Sequence, residues 1–93
     1  MILVTYDIAD NKRRTRFSKF LKKFGHALQY SVYEIRNSKR LLRLVIEGIE
    51  KKHMTKADLT DHILVMEICE ACQKKIRKYG AAHYEEEDVV YFD

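Results

Sequence analysis

The residues best suited to chemistry stand near the start of the chain, where one acid is followed closely by a basic cluster. Asp7 ends a β-favouring run, and Lys12, Arg13, Arg14 and Arg16 follow after a short gap. A carboxylate can hold Mg²⁺, and the planar fork of arginine matches the oxygens of a phosphate. The pattern favours a site for gripping or hydrolysing a phosphodiester. It equally fits an acid that ends a strand before a helix with a solvated basic face.

Charge is distributed unevenly along the chain, although the net charge is only +4. Residues 1–45 carry 11 basic and 3 acidic side chains, whereas residues 46–93 carry 7 basic and 11 acidic ones. This concentration of positive charge suggests a polyanionic partner such as duplex DNA or RNA, and a solvated basic surface is the alternative. The side chains predicted to bind nucleic acid are Arg13, Arg14, Arg16, Lys19 and Lys23.

The first strand should place Asp7 on a face that helices do not cover. Alternate residues of a strand point to opposite faces, here Ile2, Val4 and Tyr6 against Leu3, Thr5 and Asp7. An open face with apolar residues is a natural surface for a homodimer, which would bring Asp7 toward its counterpart in a second copy. Two close carboxylates repel unless a proton or cation lies between them, so this arrangement favours Mg²⁺ at Asp7.

Helical periodicity and turn signals place the next elements. Asp10 is the predicted N-cap of the first helix, which has Phe17 on its apolar face and Gly25 at its C′ position. The stretch "HALQYSVYEIR" predicts a short hairpin or one bent strand. Ser38 is the predicted N-cap of a second helix, whose apolar stripe is Leu42, Val45, Ile46 and Ile49.

The second half of the chain completes the predicted fold. "HILVMEI" has the apolar character of a strand in the middle of a sheet, "CEACQKKIRKYG" predicts a third helix that ends at Gly80, and "VVYFD" predicts an edge strand. The order is that of an α+β, ferredoxin-like β-α-β-β-α-β sandwich with an extra C-terminal helix and edge strand. We expect residues 1–93 to form a single dimeric domain, with residues 81–93 as a C-terminal arm or strand.

Composition narrows the class of protein. With 46% hydrophobic and 34% charged residues, the chain is typical of a folded globular protein. It contains no apolar run of the ~20 residues that a membrane span needs, and its start lacks the pattern of a secretion signal. We therefore expect a cytoplasmic protein without a membrane partner.

Tyrosines and cysteines offer weaker signals. Tyr6, Tyr30 and Tyr33 could stack on bases, but tyrosines on half-buried strands more often belong to a core or an interface. Cys69 and Cys72 form one C-x-x-C, and a zinc site needs two further ligands. Buried or idle thiols in a reducing compartment are the simplest interpretation.

Four stretches of the sequence, taken together, resemble those of a known protein family. With "VTYDIADNKRRTRF", "KKFG", "QYSVYE" and "EEEDVVYF", the sequence resembles the CRISPR-associated protein two family along almost its whole length. The resemblance implies a ferredoxin-like homodimer in which Asp7 binds the metal. It also implies that Tyr6, Arg14, Arg16 and Tyr33 occupy positions linked to nuclease activity. Tyr33 stands where the family usually has Phe, and Ala27 stands where many members have Arg.

The resemblance also implies partners. Members of the family are described as metal-dependent endonucleases on RNA or double-stranded DNA, and as a dimeric bridge that holds new spacer DNA between two integrase dimers. The C-terminal strand is implied in dimer swapping or integrase docking. We therefore expect a homodimeric component of the CRISPR adaptation complex that binds duplex DNA and an integrase subunit, with possible Mg²⁺-dependent endonuclease activity. The alternative is a stand-alone, single-domain ribonuclease toxin of the same fold.

Overall fold

The strands and α-helices of this chain follow the order β-α-β-β-α-β-α. Apolar residues alternate along the first strand and recur with the 3.6-residue period of a helix along the two long helices. The computed structural model describes residues 1–55 and 59–79. The strands are β1 (Ile2–Asp7), β2 (Gly25–Gln29), β3 (Val32–Ile35) and β4 (His62–Glu67), and the α-helices are α1 (Asn11–Lys22), α2 (Lys39–Gly48) and α3 (Glu70–Gln73). A short π-helical segment, Ile49–His53, continues α2.

The described strands form a four-stranded antiparallel sheet in the order β2-β3-β1-β4. This is the ferredoxin-like topology predicted from the sequence. The expected alternation of β1 is confirmed, because Ile2, Val4 and Tyr6 are buried whereas Asp7 is exposed. We call the side with the buried residues the covered face and the side that bears Asp7 the open face.

Within the described sheet β4 lies at an edge, next to β1 alone, although its apolar run predicted a strand in the middle of a sheet. Both faces of β4 carry apolar residues. Ile63 and Val65 pack against the core on the covered face, whereas Leu64 and Met66 are exposed on the open face. A continuous apolar strand can therefore be an edge strand when both of its faces present apolar residues.

The core lies between the covered face and the two long helices. Phe17 and Leu21 of α1 are fully buried, as is Val45 of α2, since each faces the sheet from the apolar side of its helix. Burial of one such side chain contributes about 1.5–3 kcal/mol. This packing fixes α1, and with it the basic residues on the outer side of that helix.

Both predicted N-caps are confirmed. The Asp10 carboxylate accepts the N–H of Arg13 at 2.8 Å, and the Ser38 hydroxyl accepts the N–H of Leu41 at 3.3 Å. Each cap satisfies a backbone donor that the first turn of a helix leaves without an intrahelical partner. The helix that follows Asp7 therefore begins where the sequence predicts.

Gly25 has a different role from the one predicted. It does not end α1 as the C′ residue but begins β2, where a Cβ would lie 1.9 Å from the carbonyl oxygen of Glu34. Glycine is required there because the backbones of β2 and β3 approach too closely for a side chain.

The stretch after α1 is a hairpin, not a bent strand. β2 and β3 pair antiparallel and turn at Ser31, which adopts a left-handed φ of 65°. The third helix is shorter than predicted and spans only Glu70–Gln73. Its predicted end at Gly80 and the C-terminal strand "VVYFD" lie outside the described residues. Within residues 1–55 and 59–79, no helix has both the length and the apolar character to cross a bilayer.

Candidate nucleic-acid interface and metal site

Asp7 is the last residue of β1 and is exposed on the open face. Its neighbour across the strand pair is His62, the first residue of β4. Directly opposed residues of antiparallel strands have Cβ atoms about 4.5–5.5 Å apart, so the two side chains can reach one ligand. Together with Thr5, Tyr6 and Leu64 they line a shallow hollow of about 420 Å³. Among the described residues, none donates a hydrogen bond to the Asp7 carboxylate.

The donor set fits a lightly held Mg²⁺ ion. Mg²⁺ is bound by one or two carboxylates and keeps several waters. Asp7 has a free carboxylate, whereas Asp10 caps α1 and Asp61 is paired with Arg13. No cluster of three His, Cys, Asp or Glu side chains occurs in the described part of the chain. One chain therefore offers a single available carboxylate here, and a complete site needs ligands from a second copy or from substrate.

His62 is a candidate residue that the sequence interpretation missed, because the four histidines look scattered along the chain. The signal was available in the topology. When two adjacent strands are antiparallel, the end of one lies beside the start of the other. Pairing β1 with β4 places His62 beside Asp7.

Arg13 is partly buried and makes an internal ion pair. Its guanidinium forms an ion pair with Asp61, whose side chain is completely buried. The other carboxylate oxygen of Asp61 accepts the N–H of Ala9 at 3.1 Å. Arg13 therefore ties α1 to the start of β4, and most of its charge is balanced by Asp61.

Arg14 holds the loop that follows Asp7. Its guanidinium donates to the carbonyl oxygen of Ile8 at 3.0 Å and to that of Ala9 at 3.4 Å, and it also contacts the side chain of Asn11. These contacts occupy the fork that phosphate would need. Arg14 thus lies close to Asp7 in the chain and fixes the path of the backbone after it.

The remaining predicted bases have a different environment. Arg16 and Lys19 of α1, and Lys23 directly after it, are exposed. This helix contains no acidic residue, so their charge is not balanced along it. The structure therefore divides the predicted nucleic-acid residues into two that make internal contacts and three that face solvent.

Tyr6 and Tyr33 lie on the covered face, on the other side of the sheet from Asp7. The Tyr6 ring packs edge-on against Phe17 with centroids 5.0 Å apart, and it lies 6.2 Å from the Tyr33 ring. The Tyr33 hydroxyl is hydrogen-bonded to the Ser18 hydroxyl at 2.7 Å. Burial raises the pKa of Tyr6. The geometry brings the rings of these tyrosines together in the core. Tyr6 also borders the hollow at Asp7, whereas Tyr33 is not among its lining residues.

Cys69 and Cys72 are both exposed free thiols, so of the two alternatives, buried or idle thiols, the first is wrong. Hydrogen bonds from the backbone and side chain of Cys72 lower the pKa of Cys69. The two sulfurs are therefore close to each other at the start of α3, away from the candidate site.

A family profile for "CRISPR associated protein Cas2" matches residues 1–76. The chain belongs to this family. The Cas2 profile spans all six elements of the ferredoxin-like fold, from β1 to β4, and includes Asp7, His62 and the basic helix.

Two curated relatives support the Cas2 assignment. The protein is 32% identical over 92 residues to "CRISPR-associated endoribonuclease Cas2 2" of Methanospirillum hungatei, covering 96% of each chain. It is also 32% identical over 79 residues to "CRISPR-associated endoribonuclease Cas2 4" of Rhodospirillum rubrum, covering 85% of this chain and 61% of that one. Both relatives carry the name of an endoribonuclease.

A solved structure shares the fold. The crystal structure of a hypothetical protein from Thermus thermophilus superposes with a TM-score of 0.63 at 23% identity, covering 96% of this chain and 93% of that chain. At this level of identity the likeness supports the ferredoxin-like architecture alone.

Proposed function

We propose that this Cas2-family chain is a homodimer that binds the backbone of duplex DNA as part of the CRISPR adaptation complex. The observation that supports it most directly is the set of exposed bases Arg16, Lys19 and Lys23 on a helix without acids. Lysine and arginine neutralise phosphates without reading base sequence, so binding through this helix is independent of sequence.

The open face supports the homodimer. Leu64 is 59% exposed and Met66 is 37% exposed there, next to the shallow hollow at Asp7. A second copy would cover these apolar side chains and bring two Asp7 carboxylates toward a common axis. A two-fold dimer also presents two identical basic helices, which suits a bridge between two integrase dimers along one duplex.

Salt dependence of DNA binding tests the first part of the proposal. The affinity for a duplex of arbitrary sequence should fall with ionic strength, with a slope of about 0.9 per phosphate neutralised. Arg16→Gln should reduce the slope and the affinity. Arg43→Gln, which removes the same charge from the exposed side of α2, is the matched control and should change both less. Affinity that stays flat from low to high salt would overturn the proposal.

Size and partner are measured separately. Light scattering after gel filtration should give the mass of a dimer, twice 11.1 kDa. Co-purification with an integrase subunit should yield a complex that retains duplex DNA. A protein that binds no integrase but cleaves RNA without DNA would instead match the stand-alone ribonuclease toxin.

A second candidate function is metal-dependent hydrolysis of a phosphodiester, which the pairing of Asp7 with His62 favours. Asp7 would hold the Mg²⁺ ion, with ligands shared by a second copy. When bound, the ion supplies positive charge that stabilises the charge developing on phosphate oxygens. His62, next to Asp7, would accept or donate a proton during the reaction. Arg16 would hold the nucleic-acid backbone.

Metal removal tests this second function. Cleavage of single-stranded RNA and of duplex DNA should require added Mg²⁺ and stop with EDTA. DNA binding through α1 should continue in EDTA, since the bases need no metal. Cleavage that is unchanged by EDTA would exclude the proposed role of Asp7 without affecting the binding proposal.

A further inference from the structure

A second basic site lies on the helix side of the molecule. A cavity of about 160 Å³ opens between α1 and the π-helical segment, lined by Arg13, Arg16, Lys52, His53 and Thr55. Each of these side chains carries a hydrogen-bond donor, and none is acidic. A water molecule takes about 30 Å³ in the liquid, so the cavity has room for a group of about five heavy atoms, the size of a phosphate.

His53 gives this cavity a buried polar atom without a partner. The residue is only 8% exposed, and among the described residues none forms a hydrogen bond with its Nε2 atom. The imidazole is fixed between the rings of Phe17 and Phe20, at centroid distances of 5.1 and 4.6 Å. A buried polar group left unpaired destabilises the fold, so a ligand that reaches Nε2 offsets part of that cost.

Among the described residues, the charges that act on His53 are those of Lys52, Arg16 and Lys23, and all three are positive. Burial first, and then these three charges, lower the pKa of His53, which favours the neutral imidazole. Arg13 adds little charge, because its guanidinium is paired with Asp61. Repulsion among the remaining cations is relieved when an anion enters.

We infer that the cavity lined by Arg16, Lys52, His53 and Thr55 is a subsite for one phosphate group of a nucleic-acid backbone. Arg16 and Lys52 supply charge and His53 donates from the buried wall. Thr55 lines the cavity without offering its proton, since its hydroxyl donates to the carbonyl oxygen of Lys52 at 2.9 Å. That the cavity binds a phosphate group follows from its lining residues. That this phosphate belongs to a nucleic-acid backbone rests on the proposed function.

Two neighbouring lysines provide a matched test. Lys52 lines the cavity, whereas Lys51 is paired with Glu47 at 3.3 Å and its side chain is 75% exposed. Lys52→Gln should lower the salt slope of duplex binding by about 0.9, the value of one phosphate contact. Lys51→Gln removes the same formal charge and should leave the slope unchanged. An unchanged slope in Lys52→Gln, or an equal fall in both variants, would overturn the inference.

Inorganic phosphate separates the cavity from the proposed DNA binding. In NMR titrations of the wild-type protein, added phosphate should raise the pKa of His53, because a nearby anion favours the imidazolium. The rise should be absent in Lys52→Gln. If phosphate leaves the His53 signals unchanged, the subsite is rejected. If phosphate raises the pKa of His53 but Lys52→Gln leaves the salt slope of duplex binding unchanged, the phosphate that binds in the cavity does not come from duplex DNA. If the protein binds no DNA at all, the proposed function fails, and the titration with phosphate alone still decides whether the cavity binds this anion.

Discussion

The two faces of the sheet separate residues that are adjacent in the chain. Tyr6 points to the covered face and packs against Phe17, whereas Asp7 points to the open face beside His62. The Tyr-Asp pair therefore looks like one motif in the sequence but serves two purposes in the fold. Residues that share a face across strands, not neighbours in the chain, can form one site.

Replacement of Asp7 should have the largest effect. Asp7→Asn removes the charge that would hold Mg²⁺ on the open face and keeps the size of the side chain. If cleavage occurs there, its rate should fall about 10³-fold, since a metal ion contributes several kcal/mol to stabilisation of the transition state. The rate is measured on labelled RNA or duplex substrate at saturating Mg²⁺.

Asp10→Asn is the control for this substitution. Asn is as good an N-cap as Asp, so α1 should keep its start and the cleavage rate should stay close to that of the wild type. A rate for Asp7→Asn equal to that of the control would remove Asp7 from the mechanism. The open face would then retain only its proposed role in dimerisation.

His62 tests whether the open face carries more than the carboxylate. His62→Gln should reduce cleavage about 10²-fold, because general acid–base groups contribute about 10²–10⁴-fold. His26→Gln is the comparison, since His26 lies on the open face near Glu34 with 3.7 Å between Nε2 and Oε1. Equal losses in both variants would argue that histidines matter on this face only through general charge or packing.

Tyr33 tests the covered face. Tyr33→Phe removes the hydroxyl bonded to Ser18 and keeps the buried ring. It should lower the free energy of unfolding by about 1 kcal/mol, the typical net value of one hydrogen bond. Cleavage should stay within about twofold of the wild type. Urea unfolding and the cleavage assay check this together. A large loss of cleavage without loss of stability would show that a residue of the covered face takes part in the reaction.

Tyr6 should give the smallest effect, visible only at alkaline pH. Because burial raises its pKa, the folded state holds the phenol proton more tightly than the unfolded state does. Stability is therefore complete below pH 10 and falls as the pH rises through the raised pKa. Urea unfolding measures the free energy of unfolding between pH 9 and 11, and this free energy should fall less with rising pH in Tyr6→Phe than in the wild type. If it falls equally in both proteins, groups other than Tyr6 cause the loss of stability at alkaline pH.

Local sequence patterns predicted most of the helices and strands. The alternation in β1 and the caps at Asp10 and Ser38 depend on interactions within a few residues, which the sequence displays directly. The role of Gly25 depends on the approach of Glu34 from the next strand, so propensity alone suggested a helix end. The place of β4 at the edge depends on strand order, which its apolar content does not reveal.

The site was less accessible from the sequence, because its residues are joined by long-range contacts. The pair of Arg13 with Asp61 spans 48 residues, and it is this contact that separates Arg13 from the exposed bases. Asp7 and His62 meet only through the register of β1 with β4. The cavity at His53 depends on a π-helical segment that has no recognisable signature in the sequence.

One consequence follows from the tight crossing of α1 and α2. At Gly48 a Cβ would lie 2.3 Å from Cζ of Phe20, and the same ring packs against the imidazole of His53. A methyl group there would force the Phe20 ring to shift, and that ring also packs against Phe17 and Phe24. The shift would change the shape of the basic cavity beside His53. An uncharged position on the second helix therefore bears directly on the proposed anion subsite.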